Sequence, residues 1–126
     1  MNIKGQFSVT SWDEIPQQEF DDESKITRAT VKQTYAGEIN GESSIEYIMY
    51  YSTKSAATFV GIEYYSGSVA GKTGSLVIEH NGKFTNGVAS SEFIIIDGKD
   101  ELHATQGKGR FTTIGHAAAE YEIEVT

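Results

Sequence analysis

Hydrophobic and polar positions alternate with a period of two along most of the chain. In residues 118–126, four apolar side chains alternate with three glutamates, which is typical of a strand with one buried face. Similar runs begin at residues 3, 25, 74, 88 and 108. The pairs Asn40-Gly41 and Asn86-Gly87 are favoured in tight hairpin turns. The pattern therefore predicts strands from one end of the chain to the other.

Eight predicted strands follow one another, and most of their connections are short. They cover 3–12, 25–39, 44–53, 56–67, 74–84, 88–97, 108–114 and 118–126, and an acidic loop around Pro16 is the longest connection. Sequential strands of this kind form an antiparallel meander, which avoids exposed edges by closing on itself. We expect an all-β protein with a single domain over residues 1–126, folded as a closed eight-stranded antiparallel up-and-down (meander) β-barrel. A two-sheet sandwich is the alternative, but it usually needs a long crossover connection.

The two central strands are apolar on both faces, and each carries one glutamate. Glu46 lies in the first of them and Glu63 in the second. A carboxylate within such a strand must find a partner or give up its charge. These glutamates are therefore the first candidates for function.

Two-residue turns at 40–41, 54–55 and 71–72 would place four polar side chains opposite one another. The predicted row is Tyr35, Glu46, Glu63 and His80. Its neighbours along the strands, including Tyr50 and Phe59, are mostly apolar, so we expect the row to face the barrel interior. Two carboxylates at this distance cannot both ionise cheaply, and one of them should hold a proton.

We expect the inner row to form a ligand site for a small amphipathic or cationic molecule. The predicted binding residues are Glu46, Glu63, His80, Tyr35, Tyr50 and Phe59. An isomerase or cyclase-like enzyme that uses the same groups for acid–base chemistry is the alternative. A purely structural domain with a packed interior is a third possibility. The residues flanking the row lack metal-ligand spacing, so neither a metal nor a cofactor is expected.

The outer face of the central strands is predicted to be apolar as well. We expect Ile45, Tyr47, Met49, Val60, Ile62 and Tyr64 to point outward. A contiguous apolar patch on a barrel exterior usually marks a contact surface. The prediction is a homodimer that forms through this face.

Charge and composition narrow the set of partners. The 126 residues carry a net charge of −8 and no cysteine, and they contain no basic cluster that would attract nucleic acid. No apolar run approaches the length of a membrane span, and no signal peptide pattern is present. We therefore expect a cytoplasmic protein that binds neither nucleic acid nor membranes.

Three segments resemble an uncharacterised bacterial family of small domains. They read SVTSWDE at 8–14, TRATV…YAGEINGESSIEYIMYY from residue 27, and ATFVGIEYYSGSVAGKTGSLVIEHNGKF from residue 57. The resemblance implies a closed eight-stranded barrel similar in fold to allene oxide cyclase. Glu46, Glu63 and His80 stand at positions that match the pattern of the family. The resemblance implies no activity, because the family has no established function.

Overall fold

The computed structural model describes residues 1–114 and 117–126, and these residues form eight β-strands. The strands are β1 (Asn2–Glu19), β2 (Lys25–Tyr35), β3 (Ile39–Thr53), β4 (Ala56–Val69), β5 (Lys72–Thr85), β6 (Val88–Asp100), β7 (Gly107–Ile114) and β8 (Ala118–Val125). Each strand pairs antiparallel with the next, and β8 pairs with β1. The predicted all-β meander that closes into an eight-stranded ring is confirmed.

Strand β1 is longer than the sequence pattern indicates. The segment around Pro16, expected to be a loop, continues the strand to Glu19. Beyond Val9, whose N–H donates to Ala117 O, β1 pairs with β2 alone among the described residues. Proline lacks a backbone N–H, so it fits an edge where no second neighbour needs that donor. This extension carries Trp12 and Glu14 past the end of β8.

The barrel interior is filled largely by aromatic rings that lie over glycines of the neighbouring strand. Tyr47 faces Gly61, Phe59 faces Gly82, Phe93 faces Gly109 and Tyr121 faces Gly5. A Cβ atom added at Gly61 would lie closer to the Tyr47 ring than van der Waals contact permits. Glycine is thus required at this position by the close approach of the ring.

Three details of the connections change the predicted register. The β2–β3 connection lies at residues 36–38, so Tyr35 pairs with Gly41 and not with Glu46. Between β3 and β4 the 54–55 turn is correct, but a bulge between Tyr51 and Thr53 shifts the register by one residue. The β4–β5 turn is Ala70-Gly71, one residue earlier than expected.

A shift of one residue exchanges the two faces of a strand, and this decides where Glu46 lies. Glu46 pairs with Ile62, whereas Glu63 pairs with Ile45. The predicted row is therefore wrong at Glu46, which points outward. Glu63 and His80 remain on the same inner face. The register between β4 and β5 differs from the predicted one by two residues, and an even shift does not exchange the faces.

One end of the barrel interior is covered by the segment between β6 and β7. This segment forms a tight turn, in which Leu102 N–H donates to Lys99 O and Thr105 N–H donates to Leu102 O. The Leu102 side chain is 1% exposed and packs over Gly74. No helix in the described ranges is long and apolar enough to cross a membrane.

Candidate functional site

Glu63 and His80 form a buried pair inside the barrel. Glu63 on β4 is 1% exposed and His80 on β5 is 2% exposed. His80 Nε2 lies 2.7 Å from Glu63 Oε1, a short distance typical of a charge-assisted hydrogen bond. The two residues are diagonal neighbours on adjacent strands, since His80 pairs with Gly61 directly.

The second carboxylate oxygen of Glu63 is held by residues of β2. The Tyr35 hydroxyl donates to Glu63 Oε2 at 2.6 Å, and Gln33 Nε2 lies 3.0 Å from the Tyr35 hydroxyl and 3.5 Å from Glu63 Oε2. Burial and the charge of Glu63 raise the pKa of Tyr35 well above its ordinary value, so the hydroxyl keeps its proton. Tyr35 and Gln33 therefore act as donors toward an ionised carboxylate.

His80 connects the pair to a third strand. Its Nδ1 lies 2.9 Å from Ser91 Oγ, and Ser91 Oγ lies 3.1 Å from the carbonyl of Glu92. Because the Glu63 carboxylate can only accept a hydrogen bond, His80 Nε2 carries the proton that is donated to it. A hydroxyl can act toward Nδ1 as donor or as acceptor.

The pKa of Glu63 reflects two opposing effects. Burial raises it, while the hydrogen bond and charge of His80 and the hydrogen bond from Tyr35 lower it by more, and the net direction is downward. Ser43 Oγ, near the same carboxylate, is buried without a hydrogen-bond partner among the described residues. The predicted proton-sharing pair of carboxylates does not form, because Glu63 has a cation-forming partner in place of Glu46.

The space beside this network is nearly full. A cavity of about 20 Å³ lies between Glu63, His80 and the surrounding aromatic rings. A single water molecule needs about 10–15 Å³ of such volume, so an organic substrate does not fit there. In this structure an organic substrate therefore has no room to contact the network directly.

The opposite end of the interior opens into a much larger cavity of about 410 Å³. Its lining is mainly aromatic: Phe7, Trp12, Tyr47, Tyr51, Phe59, Phe84 and Phe111. Met49 and Val31 add aliphatic surface, and Gln33 and Glu14 add polar groups. Ligand cavities in proteins commonly have volumes of about 300–1,000 Å³ and apolar walls with a few polar groups. We call this space the mouth cavity.

Glu14 lies at the rim of the mouth cavity in a defined orientation. Trp12 Nε1 donates to Glu14 Oε1 at 3.0 Å, and the Thr27 hydroxyl donates to Glu14 Oε2 at 2.7 Å. Burial, then the hydrogen bond and charge of Glu14, raise the pKa of Tyr51. The rim therefore carries a negative charge that two donors hold in place.

The structure brings together some of the predicted site residues and separates others. Glu63, His80 and Tyr35 form the buried network, and Phe59 lines the mouth cavity. The inward positions predicted for Glu46 and Tyr50 are wrong, because the bulge near Ser52 turns both outward.

On the outer surface Glu46 has its own partners. Its carboxylate accepts from Arg28 Nε at 3.3 Å and from the Thr30 hydroxyl at 2.8 Å. The Thr30 hydrogen bond lowers the pKa of Glu46, with a further contribution from Arg28. Tyr50 is 45% exposed. Neither residue contacts the buried network.

The same register shift corrects the outer face. Ile45, Tyr47 and Met49, predicted to point outward, are buried in the interior. Val60, Ile62 and Tyr64 are exposed as expected, and Ile48 and Tyr50 complete an exposed apolar patch with them. We call these five residues the outer patch.

Gln33, Trp12 and Glu14 are site residues that the sequence interpretation missed. Gln33 occupies an inward position of β2 two residues after Val31, and this break in an apolar face was the available signal. Glu14 fell within the expected acidic loop, and Trp12 was the last residue of the first predicted strand. In the described residues, no three His, Asp or Glu side chains gather in a way that could hold a metal ion.

Comparisons with known proteins agree with this architecture. Residues 3–125 match the family described as protein of unknown function (DUF3224), and the chain belongs to that family. A crystal structure of a protein with unknown function from the DUF3224 family of Shewanella oneidensis MR-1 is similar, with a TM-score of 0.77 and 23% identity over 100% of this chain and 96% of that one. At this identity the likeness supports the fold. No curated protein matches the chain.

Proposed function

We propose that this protein binds a small amphipathic molecule in the mouth cavity. The observation that carries the proposal is the cavity itself, about 410 Å³ of mostly aromatic surface that opens at one end of the barrel. Binding is favourable when an apolar ligand displaces water from exposed aromatic surface of this kind. The remainder of the interior is packed, so the mouth cavity is where a ligand would find space.

The rim charge restricts the kind of ligand. Glu14 is fixed by Trp12 and Thr27 and would repel an anionic head group, while it would attract a polar or cationic one. Aromatic walls also favour cations, through the negative faces of their rings. The site is thus suited to molecules with an apolar body and a neutral or cationic polar group.

Binding is favoured over acid–base catalysis by the position of the Glu63–His80 pair. A catalytic acid or base must come within hydrogen-bond distance of the reacting group. Gln33 and a shell of aromatic rings lie between the pair and the mouth cavity. The isomerase or cyclase hypothesis would need a Glu63→Gln variant to keep ligand affinity and lose turnover.

Fluorescence provides the test, because Trp12 is the single tryptophan of the chain and lines the mouth cavity. N-phenyl-1-naphthylamine, a neutral probe, should quench Trp12 emission and gain its own emission by energy transfer. The matched control is Ala89→Phe, which fills the cavity from a position on its wall. Saturable transfer in the wild type and at least a tenfold loss in the variant are expected. Transfer that is absent, or unchanged in the variant, would contradict the proposal.

Self-association through the outer patch is a second proposal, supported by charge. The patch lies on β3 and β4, with Lys32 and the Arg28–Glu46 ion pair on the β2 side and Glu79 on the β5 side. A two-fold axis parallel to the strands would bring the basic side of one copy over the acidic side of the other. Light scattering should give a dimer mass that Ile62→Lys reduces to a monomer. A monomeric wild type at high concentration would refute this.

The cytoplasm is the location that the composition supports. The chain lacks cysteine and has a net charge of −8. Fractionation of cells that express a tagged copy tests this, and recovery outside the cytoplasmic fraction would contradict it.

A further inference from the structure

The hydrogen-bond network beneath the mouth cavity determines how Gln33 is oriented. An ionised carboxylate only accepts hydrogen bonds, and the single proton of the Tyr35 hydroxyl is donated to Glu63. Both neighbours therefore require a donor from Gln33, and its Nε2 lies within 3.5 Å of each of them. The amide nitrogen must face the network, and this leaves the amide oxygen for other partners.

The amide oxygen of Gln33 is available to the mouth cavity. Gln33 is 3% exposed and lines the cavity. Its Oε1 atom forms no hydrogen bond with the described residues. Fully enclosed side-chain atoms without a partner would include Gln33 Oε1 if protein covered it, and they do not, so this atom is not fully enclosed. The same holds for the hydroxyl of Tyr47, which also lines the cavity. Two polar atoms are thus left for a ligand, one of which can only accept.

We infer that the mouth cavity selects ligands that carry a hydroxyl or N–H donor, which Gln33 Oε1 accepts at the inner end of the cavity. This rests on the proposed function, and it adds the chemical class of the ligand. A hydroxyl is the best match in chemistry, because it can donate to an acceptor such as Gln33 Oε1 and can also accept from a donor such as the Tyr47 hydroxyl. Glu63 acts as a positioning residue, since it fixes the Gln33 amide and does not touch the ligand.

Desolvation makes this selection effective. A ligand without a donor would cover Gln33 Oε1 and leave a buried acceptor without a partner. The net value of one hydrogen bond corresponds to about a two- to tenfold change in affinity. Apolar burial alone would favour an ether over the matching alcohol, so preference for the alcohol is a specific signal.

A matched pair of ligands tests the inference on the wild-type protein. 1-Naphthol and 1-methoxynaphthalene share the aromatic body, and only the former has a donor. Each is titrated against bound N-phenyl-1-naphthylamine, with energy transfer from Trp12 as the signal. We expect 1-naphthol to bind about two- to tenfold more tightly. In Gln33→Met the probe should still bind, and the preference should disappear or reverse.

The Glu63→Gln variant tests whether the preference depends on how Glu63 orients the Gln33 amide. An amide at position 63 can accept or donate, so Gln33 becomes free to turn, and the preference for 1-naphthol should shrink while the probe still binds. Equal binding of the two ligands by the wild type, or a preference that survives in Gln33→Met, would overturn the inference and leave the proposed function standing. Failure of the probe to bind the wild type would overturn both.

Discussion

The two ends of the barrel interior follow the same strand alternation but differ in how completely side chains fill them. At the end covered by Leu102, rings and the Glu63–His80 pair leave about 20 Å³ of free space. At the other end, about 410 Å³ remains open. The difference arises where the strands end, because one end receives a buried leucine and the other has only the edge of β1 beside it. Stability is thus expected from the packed end and ligand binding from the open one.

The largest expected effect is the loss of the buried carboxylate at the packed end. Glu63→Leu leaves His80 and Tyr35 without their shared acceptor, which typically costs about 3–5 kcal/mol. Glu46→Leu, in the neighbouring strand but on the outer surface, should cost less than about 1 kcal/mol. Urea unfolding of both variants measures the difference. Similar losses would mean that Glu63 is not a buried partner of His80.

Removal of a phenyl ring should have unequal effects at the two ends. Phe93 is buried next to the His80 ring, with ring centroids 5.2 Å apart, and Phe93→Ala should cost about 3–5 kcal/mol. Phe84 is half-buried on the wall of the mouth cavity, so Phe84→Ala should cost less than half as much. Thermal and urea unfolding provide the comparison. A larger loss for Phe84→Ala would show that the mouth cavity is not open.

The reverse experiment adds a ring at a fully buried position and at a position on the wall of the mouth cavity. Ala119 is fully buried between β1 and β7, so Ala119→Phe should destabilise by about 1–3 kcal/mol or more through overpacking. Ala89→Phe points into open space and should change the free energy of unfolding by about 0.5 kcal/mol or less. Comparable losses in urea unfolding for both variants would indicate a filled interior.

The smallest effect is a difference in pH dependence. The pKa of Glu63 lies below its ordinary value of 4.5, so its contribution is complete above that value and is lost as the pH falls through the folded-state pKa. The stability gap between wild type and Glu63→Gln should therefore narrow from about pH 6 to about pH 3, by about 1.4 kcal/mol per unit of pKa lowering. A gap that widens on acidification would contradict an ionised Glu63.

Much of the fold was predictable because its signals are local. The alternation in β8 and the Asn86-Gly87 turn, with positive φ at both residues, determine strand and register without distant information. The Ala70-Gly71 turn was not predictable in the same way. Alanine at φ +50° is unfavourable by itself and is imposed by the strands on either side.

The site was only partly predictable, because a single bulge determines which glutamate faces inward. The bulge between Tyr51 and Thr53 has no distinctive residue, and packing of Tyr47 and Met49 inside the barrel selects it. The sequence placed Glu63 and His80 on the correct face, because the register between β4 and β5 differs from the predicted one by two residues and an even shift keeps the same face. The cavity volume depends on how rings fit together across strands, and composition carries no information about that fit.

Methyl NMR provides the most direct test of a ligand site in the mouth cavity. The chain has two methionines: Met49 lines the mouth cavity, and Met1 is exposed beside Val125 at the other end. Titration of protein labelled at the methionine methyl carbons with 1-naphthol should shift the Met49 signal and leave the Met1 signal in place. If the Met49 signal stays fixed at ligand concentrations that saturate Trp12 quenching, the mouth cavity is not the binding site.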